Sequence, residues 1–322
     1  MRERTVIFSA AAFLMALTVL SGCRSLPSSS RNDEVHPLAL LSPDSSIYIN
    51  VPVQNHMDLS AAILSAQIEG LTEKSARLLL SRVDNFYLGL GTVKDRSRLE
   101  AAALGNIPSV AVDAMLTKKN GWNKNPYTAL SSEEAQARGQ PVEFDVYSRL
   151  GSDFRLSFPS ESILCAAKNL DPLLENYALH AELGDQEYVP WITQESQDIL
   201  FYITKPGQYL RNMIGTTVNG CDYVSGRMVY FPDSEKPSVY SGRYRLTINL
   251  HIANPKAMEA FNAMLKLSFR QLGASVRVLE NLTIQISDIP VTQKQINDLF
   301  TRDPITGKHY KVVGDKIIEE KR

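Results

Sequence analysis

The feature that most constrains this chain is an order of elements that occurs twice. Residues 46–51 (SIYINV) are rich in β-branched and aromatic side chains, which predicts a strand, and Pro52 closes it. Residues 200–204 (LFYIT) predict a second such strand, with Pro206 four residues after Tyr202 as Pro52 is after Tyr48. After the first strand, residues 56–68 have helical spacing, with Leu59, Ile63 and Ala66 on one side. Gly70 breaks that helix, and Thr72 caps another carrying Ala76, Leu79, Leu80 and Val83. Residues 209–214 predict a short helix at the same place in the second copy. A strand pair then follows in each: 84–93 with 98–104, and 221–231 with 244–251. Pro108 and Asn254-Pro255 each start a helix. The first of these places Val110, Ala114 and Met115 on its apolar side, and Ala114-Met115-Leu116 matches Ala263-Met264-Leu265.

Further segments complete the halves. Residues 142–150 and 154–158 predict a hairpin about Gly151-Ser152, and 160–180 predict a helix interrupted near Asp171-Pro172. Residues 276–279 and 282–286 are strands, and Pro290 leads into a last helix through Ile296 and Leu299. Residues 309–313 and 316–320 flank Gly314-Asp315 as a tight hairpin. The pattern predicts an α+β fold of two related halves, 41–190 and 191–322, each β-α-β-β-α-β with further strands. That order suggests ferredoxin-like units with antiparallel sheets and helices on one face. At 322 residues and 44% hydrophobic the chain has material for a sizeable core, and a net charge of −1 leaves no electrostatic footprint for nucleic acid.

The N-terminus is of another kind. Arg2 and Arg4 precede an uncharged run, Thr5 to Leu20, that ends in small residues. This is the pattern of a secretory signal peptide, and the run is short for a membrane span of about 20 residues. Its close, Leu20-Ser21-Gly22-Cys23, resembles the lipobox of bacterial lipoproteins. The resemblance implies cleavage between Gly22 and Cys23, a diacylglycerol on the Cys23 sulfur and an N-acyl chain on its new amino group, with residues 1–22 removed. It also implies a place in the cell envelope. In some lipoproteins an Asp after the cysteine retains them in the inner membrane; here that position is Arg24, which favours the outer membrane. Residues 24–37 (RSLPSSSRNDEVHP) are rich in Ser, Pro and charge, so the lipidated cysteine and a flexible tether are expected to occupy 23–40. Cys165 and Cys221 then remain, in different halves, either as buried thiols or as a pair.

Motifs for chemistry are scarce. The chain has no G-x-S-x-G, HExxH, CxxC or P-loop, and Gly89-Leu90-Gly91 lies inside a predicted strand where glycines relieve crowding. His36, His56, His180, His251 and His309 show no metal-ligand spacing. Asp84 and Asp222 precede matching strands, where an acid/base pair competes with the commoner role of Asp in turns. Residues 118–125 (KKNGWNKN) predict a loop in which Trp122, Lys118, Lys119 and Lys124 form a possible interface. Tyr202, Tyr209, Tyr223, Tyr230, Tyr240 and Tyr244 crowd the second half and suit strands or a binding face.

These readings converge on a lipid-anchored envelope protein, non-catalytic, acting as an interaction or assembly module at a membrane surface. The expected partners are the membrane and an envelope protein or lipid, with no metal and no cofactor beyond the acyl chains. Two rivals are a carrier holding an apolar ligand between the halves, and a hydrolase whose catalytic residues are dispersed along the chain.

Overall fold

The folded part begins inside the core. The computed structural model describes residues 35–67, 72–93, 96–131, 137–149, 154–207, 220–231, 243–293, 295–296, 310–313 and 316–319. Val35, Leu38, Leu40 and Leu41 are all buried, and Pro37–Leu40 make one helical turn, α1. Pro37 suits the first turn because its missing N–H is unneeded there, and His36 Nδ1 accepts from the Leu38 N–H at 3.1 Å. Of the tether expected over 23–40, residues 35–40 therefore belong to the folded core. Residues 1–34, with Gly22 and Cys23, lie outside the described residues.

The number of helices between strands decides the topology. β1 (Ile47–Pro52) leads through a 3-10 turn to α2 (Met57–Gln67), α3 (Glu73–Leu80) and β2 (Val83–Val93). One helix would return the chain parallel to β1, whereas two return it antiparallel, so β1 and β2 lie side by side with Tyr48 opposite Gly89. β3 (Arg96–Gly105) pairs with β2, and α4 (Ser109–Met115) follows. Then come β4 (Trp122–Ala129), β5 (Val142–Arg149), β6 (Arg155–Ser157), β7 (Ile163–Ala167), α5 (Asp171–Ala178) and α6 (Tyr188–Thr193). The second half has β8 (Ile199–Ile203), β9 (Cys221–Phe231), β10 (Arg243–Ile252), α7 (Pro255–Phe269), β11 (Ser275–Leu279) and β12 (Thr283–Thr292). Twelve strands form a single sheet in the order β11-β12-β10-β9-β8-β1-β2-β3-β7-β6-β5-β4. Every pairing in it is antiparallel. β13 (Tyr310–Val313) and β14 (Lys316–Glu319) form the separate C-terminal hairpin.

The α+β class holds, and the ferredoxin-like arrangement is not the one formed. A split β-α-β places helix-linked strands parallel, and here the helix pair α2–α3 makes them antiparallel neighbours. Helices also cover both faces. Ala102 packs with Leu40, Leu173, Tyr188 and Ile192 of α1, α5 and α6, while its neighbour Ala103 packs with Ala61, Leu80 and Val112 of α2, α3 and α4. Consecutive strand residues point to opposite faces, so the two clusters lie on opposite sides. α7 shares the second side, where Met258 and Leu265 meet Ile248, Leu250 and Ile284. Two local readings also change: residues 163–167 are a strand rather than helix, and residues 122–125 of the expected loop 118–125 belong to the edge strand β4.

Candidate functional site

The basic loop is not a free patch. Lys118 and Lys119 are exposed on a 3-10 turn that Thr117 caps and Gly121, at φ 84°, ends. Trp122 packs partly against the core, with the Arg149 guanidinium 5.9 Å from its ring centre. Lys124 reaches Asp145 at 2.7 Å and Asp113 at 3.6 Å, and its hydrogen bond to Asp145 holds the ammonium above the usual lysine range. Lys124 is thus committed to its own edge.

Other singled-out residues are dispersed. Asp84 and Asp222 are exposed, on strands separated by β1 and β8. His180 is exposed at φ 51°, and His309, Tyr209 and Tyr240 lie outside the described residues. Cys165 and Cys221 are free thiols on β7 and β9, five strand spacings or about 24 Å apart. Burial pushes the Cys165 thiol up to about 12. Among the described residues no group of three His, Cys, Asp or Glu could hold a metal ion, and no helix is long and apolar enough to cross a membrane.

The buried polar groups join parts of the fold. Glu100 is 2% exposed and accepts from the Ser42 N–H and hydroxyl, both at 2.9 Å, with Arg98 Nε at 3.5 Å. It clamps the entering segment to the sheet. That segment passes so close to β2 that a Cβ on Gly89 would lie 2.9 Å from Ser45 Oγ, which explains the glycine. His56 is 3% exposed; its Nε2 lies 2.9 Å from Gln197 O and its Nδ1 3.3 Å from the Tyr244 hydroxyl. Donation from Nε2 and acceptance at Nδ1 satisfy a neutral ring, and burial holds its pKa below the usual histidine range.

Charge is segregated on the face that carries α1, α5 and α6. Residues 169–198, which contain α5 and α6, hold seven carboxylates (Asp171, Glu175, Glu182, Asp185, Glu187, Glu195, Asp198) and no Lys or Arg. Glu182, Asp185 and Glu187 are exposed in the α5–α6 loop. α6 packs over β1 and β8, and Trp191 Nε1 donates to Phe201 O at 3.1 Å. Beyond it β9, β10 and β11 turn Arg227, Arg245 and Arg277 outward. Arg245 is 57% exposed, pairs with Asp288 at 3.4 Å and lies over Phe231; Arg227 and Arg277 have no ion pair among the described residues. An aromatic run crosses from the covered to the open part. Tyr48 stacks on Tyr188 at 3.8 Å, Tyr202 on Tyr223 at 5.0 Å and Tyr223 on His251 at 4.7 Å. The sequence signals for this surface were the unbroken acidic stretch and the alternation of β10 (RYRLTINLHI), which keeps polar residues on one face.

The family model described as outer membrane-associated lipoprotein TP0453 matches residues 32–297. Among solved structures, crystal form I of TP0453 superposes with a TM-score of 0.62 at 14% identity, over 83% of this chain and 96% of that one. Form III gives 0.59 at 14% identity, over 82% and 97%, and form IV gives 0.57 at 13%, over 83% and 96%. At such identities the likeness is one of fold. No protein of curated function matches the chain.

Proposed function

This chain belongs to the family of outer membrane-associated lipoproteins described as TP0453, and on that premise we propose that it is a non-catalytic interaction and assembly module, anchored through acyl chains on Cys23. The observation that carries this reading is the segregation of charge on one face, an acidic helical layer beside an open sheet bearing three arginines. Glu100 and His56, both buried, are engaged with Ser42, Gln197 and Tyr244 in joining segments of the fold. The exposed charges are those left for a partner.

Two or three acyl chains, at about 0.8 kcal/mol per buried CH₂, hold a protein at a membrane far more firmly than one does. Eleven residues lie between Cys23 and Val35, a reach of at most about 40 Å. Confinement within that shell raises the effective concentration toward partners on the same membrane, so a weak binding surface suffices.

The two arms are also read as a duplication. From the central pair Tyr48 and Tyr202, the row Gly89, Glu100, Ala167, Arg155 runs outward in one arm, and Ser225, Asn249, Gln285, Arg277 in the other. The strand orders β1-β2-β3-β7-β6 and β8-β9-β10-β12-β11 correspond, with β4–β5 added to the first.

The functional reading is tested by crosslinking in cells, comparing the native chain with a secreted form carrying Cys23→Ala and an ordinary signal. The reading expects an envelope partner captured by the anchored form alone. Equal capture by both forms, or full biological activity of the secreted form, contradicts it.

A further inference from the structure

We propose that the free edge of β11 is a docking site for an extended segment of another envelope protein. The segment adds to the sheet as a further strand and carries an acidic residue between two apolar ones. The proposal rests on the assembly reading above and says what kind of partner binds and how.

The two outer strands of the sheet are not alike. Among the described residues the sheet ends on β4 at one side and β11 at the other. An unpaired edge invites another strand, and proteins usually blunt it with lysine, proline or a bulge. β4 is blunted, with Lys124 and Pro126 exposed along it. β11 (SVRVL) has no lysine or proline, and its register with β12 is unbroken. Apolar exposure gathers at the same place. Of the eight large apolar side chains exposed among the described residues, Leu267, Leu272, Val278 and Leu279 fall within residues 267–279.

The ladder fixes which backbone groups are open. The Ile252 N–H donates to Leu282 O at 2.8 Å, so Leu282, Ile284 and Ile286 turn their backbone groups to β10. Thr283, Gln285 and Ser287 then turn theirs to β11, where they meet Leu279, Arg277 and Ser275. The N–H and C=O of Val276 and Val278 are left facing outward.

Side-chain parity fixes what the added strand must carry. Val276 packs against the cluster under α7, and Val278 shares that face, while Arg277 lies on the open face. Residues opposite Val276 and Val278 therefore meet apolar surface. The residue between them lies opposite Arg277, which has no ion pair among the described residues, and an acidic side chain suits it. A second copy of β11 in full register would set Arg277 against Arg277, and like charges directly opposite destabilise a pair. The partner is thus a different chain. Main-chain bonds hold such a strand and alternate side chains select it. Five residues at about 3.4 Å each give a site of about 17 Å, so binding is weak and confinement on the membrane compensates.

The test is amide hydrogen exchange, followed by NMR, of the mature chain carrying Cys23→Ser. The probe is the capped peptide serine-threonine-isoleucine-aspartate-isoleucine-threonine-serine. Binding at micromolar to millimolar concentration is expected, slowing exchange at Val276 and Val278 and leaving Arg277, whose N–H faces β12, unchanged. Val278→Pro deletes one outward N–H, spares the ladder to β12 and should weaken binding at least tenfold. Arg277→Glu should also weaken it at least tenfold, and should bind better to the same peptide with lysine in place of aspartate. Thermal unfolding close to that of the parent verifies that the variants fold; where Val278→Pro does not, the charge swap at the exposed Arg277 decides alone. No binding up to millimolar peptide, protection that does not alternate, or indifference to the charge swap overturns the proposal. Alternating protection that rises with protein concentration in the absence of peptide assigns the edge to a second copy and overturns it as well. If anchored cells carrying Arg277→Glu still capture an envelope partner in full yield, the assembly reading stands and only the docking site falls.

Discussion

The two arms of the sheet differ in what covers them. Opposite Tyr87 the first arm has Ala102 and then Cys165; opposite Tyr223 the second has His251 and then Thr283. Ala102 and Cys165 are fully buried under α1, α5 and α6, whereas His251 and Thr283 are half-buried. Small apolar residues let helices approach the first arm. The polar residues of the second keep their own contacts with one another, as Gln285 Nε2 donates to Asn249 at 3.1 Å, and with water. The sheet thus has a sealed arm and an open arm, according to the side chains on a single face.

Matched positions give the sharpest ways to break this comparison. Glu100 and Asn249 occupy equivalent places in the two rows. Glu100→Ala should cost about 3 kcal/mol or more in urea unfolding, because it leaves the Ser42 N–H and hydroxyl without their acceptor and removes the carboxylate beside Arg98 Nε. Asn249→Ala should cost at most about 1 kcal/mol. Equal costs would mean that the arms are not covered as described.

The next pair exchanges chemistry between the arms. Ala102→His forces a bulky polar ring under α1 and α5 and should destabilise by about 3 kcal/mol. His251→Ala removes a stacked ring whose Nδ1 has no hydrogen-bond partner, and should cost less than about 1 kcal/mol.

A smaller effect is expected at the seam, where His56 joins the first arm to Tyr244 of the second. The unfolded chain takes up this proton near pH 6.5 and the folded chain only at lower pH, since burial lowers the folded pKa. Stability is therefore full above pH 6.5, falls as the pH drops below it, and levels off once the folded ring titrates. Unfolding series from pH 7.5 to 5 should show His56→Gln flattening this slope by up to about 1.4 kcal/mol per pH unit. An unchanged slope would remove His56 as a neutral joint. Smallest of all, Lys118→Ala and Lys119→Ala should each change stability by less than about 0.5 kcal/mol.

How far the sequence carried the fold depended on burial. β9 was legible from 221 to 231 as it stands, and β10 to within a residue, because strands with one wet face alternate cleanly. Residues 163–167 (ILCAA) were not, since a strand covered on both faces is uniformly apolar and Leu- and Ala-rich segments also suit helices. Ser and charge in residues 24–34 mask the start of the core, for which the mostly apolar stretch 35–41 (VHPLALL) is the signal. Both helices between β1 and β2 are legible in the sequence, and it is their even number that returns the chain antiparallel and departs from the ferredoxin-like order. The site was harder still. Lys118, Lys119, Trp122 and Lys124 stand out in a window of eight residues, whereas Arg227, Arg245 and Arg277 are brought together only by the order β9-β10-β12-β11.

The central claim is that the open face of the second arm is the working surface. A photoreactive residue placed at Thr247, in the open face, and another at Lys119, on the basic loop of the first arm, test it in cells with the native anchor. Crosslinks from position 247 to an envelope partner, with none from 119, are the predicted result. Crosslinks from 119 alone, or equal yields from both positions, would contradict it.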